Sequence, residues 1–286
     1  SAITAPGDLI LVPNPTYPIH AYGFMIAGGT IRHIPSLVKG TFDAEDYLKT
    51  LSRAVLHSIP KPIAIVISFP SNPTAQLCDL NFYKELVKFA QKHSIWILSD
   101  LAYAEIYFDN NPPPSILEID GAKDIAVEFT SMSKTFSMAG WRVGFAVGNK
   151  YLINALTRIK SYLDYGAFTP VQVAAVEALN GPEVYIEQIR NEYRLRRDTL
   201  LTSMRRAGWE IPKPQATMFA WAPLPKKFEN IGSMEFAKLL MQKASVAVAP
   251  GIGFGEYGEG YVRIGLVENE HRIRQAAKSI KKIMNE

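Results

Sequence analysis

Two continuous apolar runs constrain the fold of this chain more than any other feature. Residues 62–68 (Pro-Ile-Ala-Ile-Val-Ile-Ser) and 95–100 (Ile-Trp-Ile-Leu-Ser-Asp) are apolar at nearly every position. A strand with this pattern is covered on both faces, which is typical of the inner strands of a parallel sheet. Residues 80–93, between the two runs, have the periodicity of a helix. Such alternation predicts an α/β fold with a doubly wound, mostly parallel sheet.

The alternation extends along most of the chain. Further strands are predicted at 8–12, 30–34, 125–130 and 141–147, and Asp43 is suited to begin a helix as its N-cap. A long helix is predicted at 182–206. Beyond it the pattern is mixed α/β, with predicted strands at 217–222, 246–249 and 261–265 and helices at 233–243 and from residue 270.

Polar side chains follow three of the predicted strands at the point where each strand ends. They are Asn72, Asp100 with Tyr103, and Ser131 with Lys134. Open α/β sheets bind ligands beyond the carboxyl ends of their strands. The sequence therefore predicts a binding site at this edge of the sheet.

Lys134 lies between the apolar runs 125–130 and 141–147, which we expect to be buried strands. A desolvated lysine is a usable nucleophile for a carbonyl group. Taken alone, however, a lysine in such a loop is more often solvated and without function. Asp100 could likewise be a helix N-cap, and Asn72 before a proline could simply mark a turn.

The pattern Ser-x-Ser-Lys…Gly-Trp-Arg-x-Gly at residues 131–144 resembles the cofactor-lysine motif of the class I aminotransferases, pyridoxal-phosphate enzymes of fold type I. The resemblance extends from Pro-Asn-Pro-Thr-Tyr-Pro at 13–18 to Val-Arg-Ile-Gly-Leu at 262–266, and is greatest to the branch of alanine and diaminopimelate aminotransferases. It implies a large cofactor-binding domain at 1–190 and a smaller C-terminal α/β domain at 191–286.

The resemblance also implies roles for the cofactor residues. Lys134 would bind pyridoxal phosphate covalently and later move the substrate proton. Asp100 would pair with the ring nitrogen, and Asn72 and Tyr103 would hydrogen-bond the phenolic oxygen. Tyr17, otherwise a packing residue, would stack on the ring. The phosphate group would be held by Ser131, Ser133 and Arg142.

Arg263 is the one charged residue in the apolar run 261–265. A buried arginine needs a partner, so a clamp on the substrate α-carboxylate is favoured, with a structural salt bridge as the alternative. Asn72 is expected to assist in binding the substrate.

Composition limits the remaining possibilities. The net charge is +4, and the basic residues at 194–197 fall in a helical pattern that predicts a solvated face, not a nucleic-acid surface. With Cys78 alone no internal disulfide can form, and no run reaches membrane-spanning length, so we expect a cytoplasmic protein. The five histidines show no metal spacing. The motif G-x-G-x-x-G at 253–258 precedes a predicted strand instead of a helix, which makes it a turn.

The predicted function is transfer of an amino group from a small amino acid, alanine being favoured, to a 2-oxo acid such as 2-oxoglutarate. A β-eliminating lyase with the same residues is one alternative. The chain begins at Ser1 and reaches its first predicted strand at once, so we also expect that a further N-terminal segment carries part of the phosphate grip. A truncated, non-catalytic domain is therefore the second alternative. The resemblance implies a homodimer.

Overall fold

The computed structural model describes residues 1–38 and 40–285, and its larger sheet has six strands in the order β2-β1-β3-β4-β5-β6. The strands are β1 (Leu9–Asn14), β2 (Thr30–Pro35), β3 (Pro62–Ser68), β4 (Trp96–Asp100), β5 (Ala126–Ser131) and β6 (Gly144–Gly148). The first five are parallel, and β6 pairs antiparallel with β5. The predicted α/β, mostly parallel sheet is confirmed.

Both faces of this sheet are buried, which explains the continuous apolar runs. Ile65 and Ile67 of β3 pack on one face, together with side chains of α2 (Ala44–Leu56) and α3 (Leu80–His93). Ala64 and Val66 pack on the other face with α1 (Ile19–Ile26). Successive residues of a strand point to opposite faces, so a doubly covered strand needs apolar residues at both parities.

Helices α2 and α3 begin at aspartate capping residues. Asp43 accepts a hydrogen bond from the Asp46 amide at the start of α2, which confirms its prediction as an N-cap, and Asp79 does the same at α3. The remaining helices are α4 (Met132–Thr135), α5 (Lys150–Leu163), α6 (Thr169–Leu179), α7 (Val184–Arg206), α8 (Gly232–Ala244) and α9 (Glu270–Asn285). No helix among the described residues is long and apolar enough to cross a membrane.

A second, antiparallel sheet has the order β7-β9-β8, formed by β7 (Phe219–Pro223), β8 (Ala249–Pro250) and β9 (Tyr261–Gly265). Its apolar core includes side chains from α7, α8 and α9. Helix α7 passes through the predicted domain boundary at 190/191, and that boundary stays a prediction. The strand predicted at 246–249 begins later than expected. Only Ala249 and Pro250 pair with β9.

The buried strand predicted at 141–147 is wrong in both extent and burial. Strand β6 starts at Gly144, and Phe145 and Val147 are 43% and 45% exposed. The reason is the position of β6 at the end of the sheet, where within the described residues it pairs only with β5. Arg142 has φ +54°, which interrupts the extended conformation before the strand.

A glycine-rich turn joins the two sheets. Residues 253–258, which carry the G-x-G-x-x-G motif, form short 3-10 turns before β9, as the sequence predicted. Asn14 at the end of β1 accepts a hydrogen bond from the Tyr257 amide, at 3.3 Å. Gly255 has φ +122°, and a Cβ there would lie 2.2 Å from Asn14 Oδ1. Glycine is therefore required by this contact, not by a phosphate.

The solvated face predicted at 194–197 is contradicted at Arg197, which is 1% exposed. Its guanidinium pairs with Asp109 at 3.0 Å and Asp198 at 2.8 Å, and donates to the Pro214 carbonyl at 3.3 Å. The Arg197 and Lys213 hydrogen bonds lower the pKa of Asp109 to about 2. The Arg197 side chain thus links α7 to the loop that follows β4 and to residue 214.

We predict that Arg197→Ala lowers the free energy of unfolding by about 3 kcal/mol, because it removes the packing of a buried side chain and leaves the Pro214 carbonyl without its Arg197 donor, although Asp109 keeps Lys213 as a partner. Arg194→Ala, at an exposed position one turn away, should change it by less than about 0.5 kcal/mol. Urea denaturation measures both values.

The part of this difference in the free energy of unfolding that comes from Asp109 depends on pH. The pKa of Asp109 is lowered from 3.8 to about 2, so its stabilisation is fully present above pH 3.8 and is lost as pH falls through 2. Equal stability of the Arg197→Ala and Arg194→Ala variants at neutral pH would contradict this account.

Candidate active site

The parallel pairing of β3, β4 and β5 brings the predicted polar residues to one edge of the larger sheet. Ser68 of β3 lies beside Asp100 of β4, and Asp100 lies beside Phe129 of β5. Asn72 follows β3, and Ser131 is the last residue of β5. The carboxyl ends of three strands therefore meet at one place, as the sequence predicted.

Tyr103 lies at the centre of this group. Burial raises its pKa to about 12; Arg263 and the Asn72 amide act to lower it, while Asp100 and Tyr17 act to raise it. Four of the predicted residues are thus close enough to act on one phenol. Its ring also packs edge-on against Phe219 of β7, with 5.4 Å between the centroids.

Lys134 is presented by α4, the single helical turn that follows β5. Ser131 caps this turn, since its Oγ accepts a hydrogen bond from the Ser133 amide at 3.2 Å. The Lys134 Nζ lies 5.8 Å from the centroid of the Tyr103 ring. Within residues 1–38 and 40–285, no hydrogen bond or ion pair engages this amine. The Lys134 amine is half-buried and available for a covalent bond.

The Asp100 carboxylate is fixed from two sides. One oxygen lies 2.8 Å from His20 Nε2, and the other accepts from the Ala102 amide at 3.1 Å. His20 is in turn bound through Nδ1 to Thr16 Oγ1, at 2.7 Å. The Asp100 side chain is still 27% exposed, which leaves an approach to its oxygens. The alternative of a helix N-cap does not apply, because turns follow Asp100.

His20 and Thr16 are functional candidates that the sequence analysis missed. His20 is 7% exposed and lies on α1, eighty residues from Asp100 in the chain. The available signal was local: Thr16 and His20 are four residues apart, the spacing of neighbours on a helix face, and both flank the predicted Tyr17. Tyr17 itself is 44% exposed, with its ring edge-on to His20 at 6.0 Å. That exposure makes a simple packing role a poor explanation of Tyr17.

Arg263 extends from the second sheet to the same place. Its guanidinium donates to Asn72 Oδ1 at 2.7 Å and lies over the rings of Phe219 and Phe254, at 5.1 and 4.7 Å. Burial lowers the pKa of Arg263. No carboxylate pairs with it in the described part of the chain, so the alternative of an internal salt bridge is not realised there.

Of the three residues predicted to hold a phosphate, Ser131 and Ser133 lie at the start of α4, and Arg142 lies between α4 and β6. Antiparallel pairing places Ser131 opposite Gly144, and the Met132 amide donates to the Val143 carbonyl at 3.2 Å, which brings Arg142 back towards α4. Arg142 is exposed, and within the described residues its side chain makes one hydrogen bond, to the Ala139 carbonyl at 3.1 Å, so most of its donors have no partner there. Ser133 is buried, at 7% exposure.

This donor set fits pyridoxal phosphate group by group. An unpaired amine suits the aldehyde, a fixed carboxylate suits the protonated ring nitrogen, and a phenol with an amide suits the phenolic oxygen. A guanidinium with free donors and neighbouring hydroxyls suits the phosphate. The described residues contain no group of three His, Cys, Asp or Glu side chains arranged to hold a metal ion.

Comparison with known proteins agrees with this chemistry. The profile of the family "Aminotransferase class I and II" matches residues 1–280. The aminotransferase AatC of Rhizobium meliloti (strain 1021) is 63% identical over 284 residues, which are 99% of this chain and 69% of that protein. The glutamate-pyruvate aminotransferase AlaC of Escherichia coli (strain K12) is 50% identical, over 96% of this chain and 66% of that protein.

More distant relatives extend the same picture. The LL-diaminopimelate aminotransferase of Natranaerobius thermophilus is 41% identical, over 98% of this chain and 70% of that protein. The solved structure of apo-BacF from Bacillus subtilis superposes with a TM-score of 0.91 at 35% identity, over 99% of this chain and 70% of that one. The chain therefore belongs to the class I and II aminotransferases, a family of enzymes with fold type I.

Proposed function

We propose that this protein is a pyridoxal-phosphate-dependent aminotransferase whose reacting amine is Lys134. The observation that carries the proposal is the unpaired Lys134 amine beside Tyr103, at the edge where Asp100 is fixed by His20. When bound, pyridoxal phosphate supplies a ring that withdraws electrons from the α-carbon of an amino acid. The residues of the chain decide how that capacity is used.

Asp100 holds a proton at the ring nitrogen, which keeps the ring electron-withdrawing. His20 and the Ala102 amide hold the carboxylate in place, so Asp100 needs no reorientation when the ring arrives. Tyr103 and Asn72 would hydrogen-bond the phenolic oxygen of the cofactor, and Tyr17 would stack on its ring. Ser131, Ser133 and Arg142 would bind the phosphate.

Lys134 serves as the covalent attachment and as the general base. Its amine would take the proton from the α-carbon of a bound amino acid. Among the cations of the described residues, the Lys134 amine is the one that lies over the Tyr103 ring. With the cofactor bound, the products would be a 2-oxo acid from the first substrate and an amino acid from a second 2-oxo acid.

Arg263 binds the α-carboxylate that all these substrates share. Its planar fork can bind both carboxylate oxygens, and the half-buried site strengthens the pairing. Asn72 holds one of its nitrogens at 2.7 Å and so fixes the direction of the fork. We favour alanine as donor and 2-oxoglutarate as acceptor, supported by the 50% identity to a relative named for glutamate and pyruvate.

A second copy of the chain is the proposed partner, in the cytoplasm. Aromatic and aliphatic side chains at and after the end of α5 support a partner surface, because Tyr162, Leu163, Tyr165 and Phe168 are 74–91% exposed. Light scattering on the purified chain should give twice its mass of 31.8 kDa. A monomer at micromolar concentration would contradict this assignment.

The proposed reaction predicts stoichiometric amino transfer that depends on Lys134. With pyridoxal phosphate, alanine and 2-oxoglutarate, the chain should form pyruvate and glutamate in equal amounts without free ammonia. Lys134→Ala should reduce the rate at least about a thousandfold, because both the covalent attachment and the base are lost. Lys150→Ala, at an exposed lysine of α5, is the matched control and should keep full activity.

Borohydride reduction and product analysis together separate the remaining alternatives. Reduction should fix the cofactor to the peptide that contains Lys134. Ammonia and pyruvate formed from serine, which has the β-leaving group that alanine lacks, would instead indicate the β-eliminating lyase. Fixation at Lys134 without either product would indicate a non-catalytic domain, and fixation at other lysines alone would refute the site.

A further inference from the structure

Outside the candidate active site, four lysine and arginine side chains line one groove between α7 and α9. The groove has a volume of about 540 Å³. Arg206 of α7 and Arg274, Lys278 and Lys281 of α9 line it, and all four side chains are exposed. Within the described residues, none of the four makes an ion pair or a hydrogen bond. Four neighbouring cations without a carboxylate partner repel one another.

The packing of α9 forces these cations to one side. Ile273, Ala277 and Ile280 are buried in the core shared with α7. Arg274, Lys278 and Lys281 each follow one of these residues by a single position, so they form the adjacent stripe of the helix, beside α7. Helix α9 carries five lysines and arginines against one glutamate. The helix dipole favours the cation of the last turn, Lys282, which does not line the groove.

The α7 side of the groove adds hydrogen-bond donors without adding an unpaired negative charge. Thr199, Thr202 and Ser203 line it with their hydroxyl groups. The one carboxylate in the lining, Asp198, already pairs with Arg197 at 2.8 Å. The field in the groove is therefore positive, and neutral donors are available beside the cations.

We propose that this groove binds a small molecule that carries two or more adjacent phosphate groups. Two guanidinium forks and two ammonium groups can balance three or four negative charges, whereas a single carboxylate would leave most of the repulsion in place. The volume lies in the range of small-molecule sites, and Leu195 and the alanines 207 and 277 provide an apolar part of the lining. The groove lies on the helices behind the second sheet, and none of its lining residues belongs to the candidate active site.

The test uses inorganic tripolyphosphate as the probe, titrated calorimetrically with saturating pyridoxal phosphate present so that the phosphate residues of the candidate active site are already engaged. The double variant Arg274→Gln/Lys278→Gln should weaken binding at least about tenfold, since two charge-assisted contacts are removed. The control Lys84→Gln/Lys92→Gln removes the same charge from exposed positions of α3 and should change the affinity less than twofold.

ATP without magnesium, titrated in parallel, distinguishes two sources of the same chemistry. Tighter binding of ATP than of tripolyphosphate, lost in Arg274→Gln/Lys278→Gln, would support a nucleotide ligand; equal binding would support the phosphate chain alone. Absence of binding to the unaltered chain would overturn the proposal. Equally weakened binding in both double variants would also overturn the proposal, because the affinity would then depend on net charge alone. Circular dichroism confirms that each variant is folded.

Discussion

The parallel pairing of β3, β4 and β5 is the constraint on which the candidate active site depends. Strands β3 and β4 are covered on both faces, so they reach solvent mainly at their ends. Asn72, Asp100 and Ser131 occupy those ends, and the pairing places them side by side. A shift of one residue in this register would reverse the faces of the apolar side chains, so burial of the core also fixes the positions of the polar groups.

The second sheet completes the site from the other side. Arg263 extends from β9 to Asn72, and the turn at Gly255 and Tyr257 holds the end of β1. A residue proposed to bind substrate and a residue proposed to bind cofactor are thus joined by one hydrogen bond.

Local patterns in the sequence were sufficient to predict most of the elements but not the surroundings of their side chains. The continuous apolar run Pro62–Ser68 predicted a strand that is buried on both faces, and Asp43 predicted the start of α2. His20 was missed because its partner Asp100 is eighty residues away, and Arg197 was misjudged because Asp109 is eighty-eight residues away. The exposure of β6 depends on its end position in the sheet, which the apolar run at 141–147 does not encode.

The candidate active site was predictable for a related reason. Residues that follow strands meet wherever the strands are parallel, so Asn72, Asp100, Tyr103 and Lys134 could be placed together before any contact was known. The groove between α7 and α9 was not predicted, because it requires the two helices to lie side by side. Its cations are spread over residues 206–281 and form no charge run.

The most direct test of the active-site assignment is a crystal structure of the chain grown with pyridoxal phosphate. We expect electron density continuous from Lys134 Nζ to the cofactor, the Asp100 carboxylate at hydrogen-bond distance from the ring nitrogen, and the phosphate beside Arg142. A cofactor attached to a different lysine, or bound with its ring nitrogen away from Asp100, would contradict the account.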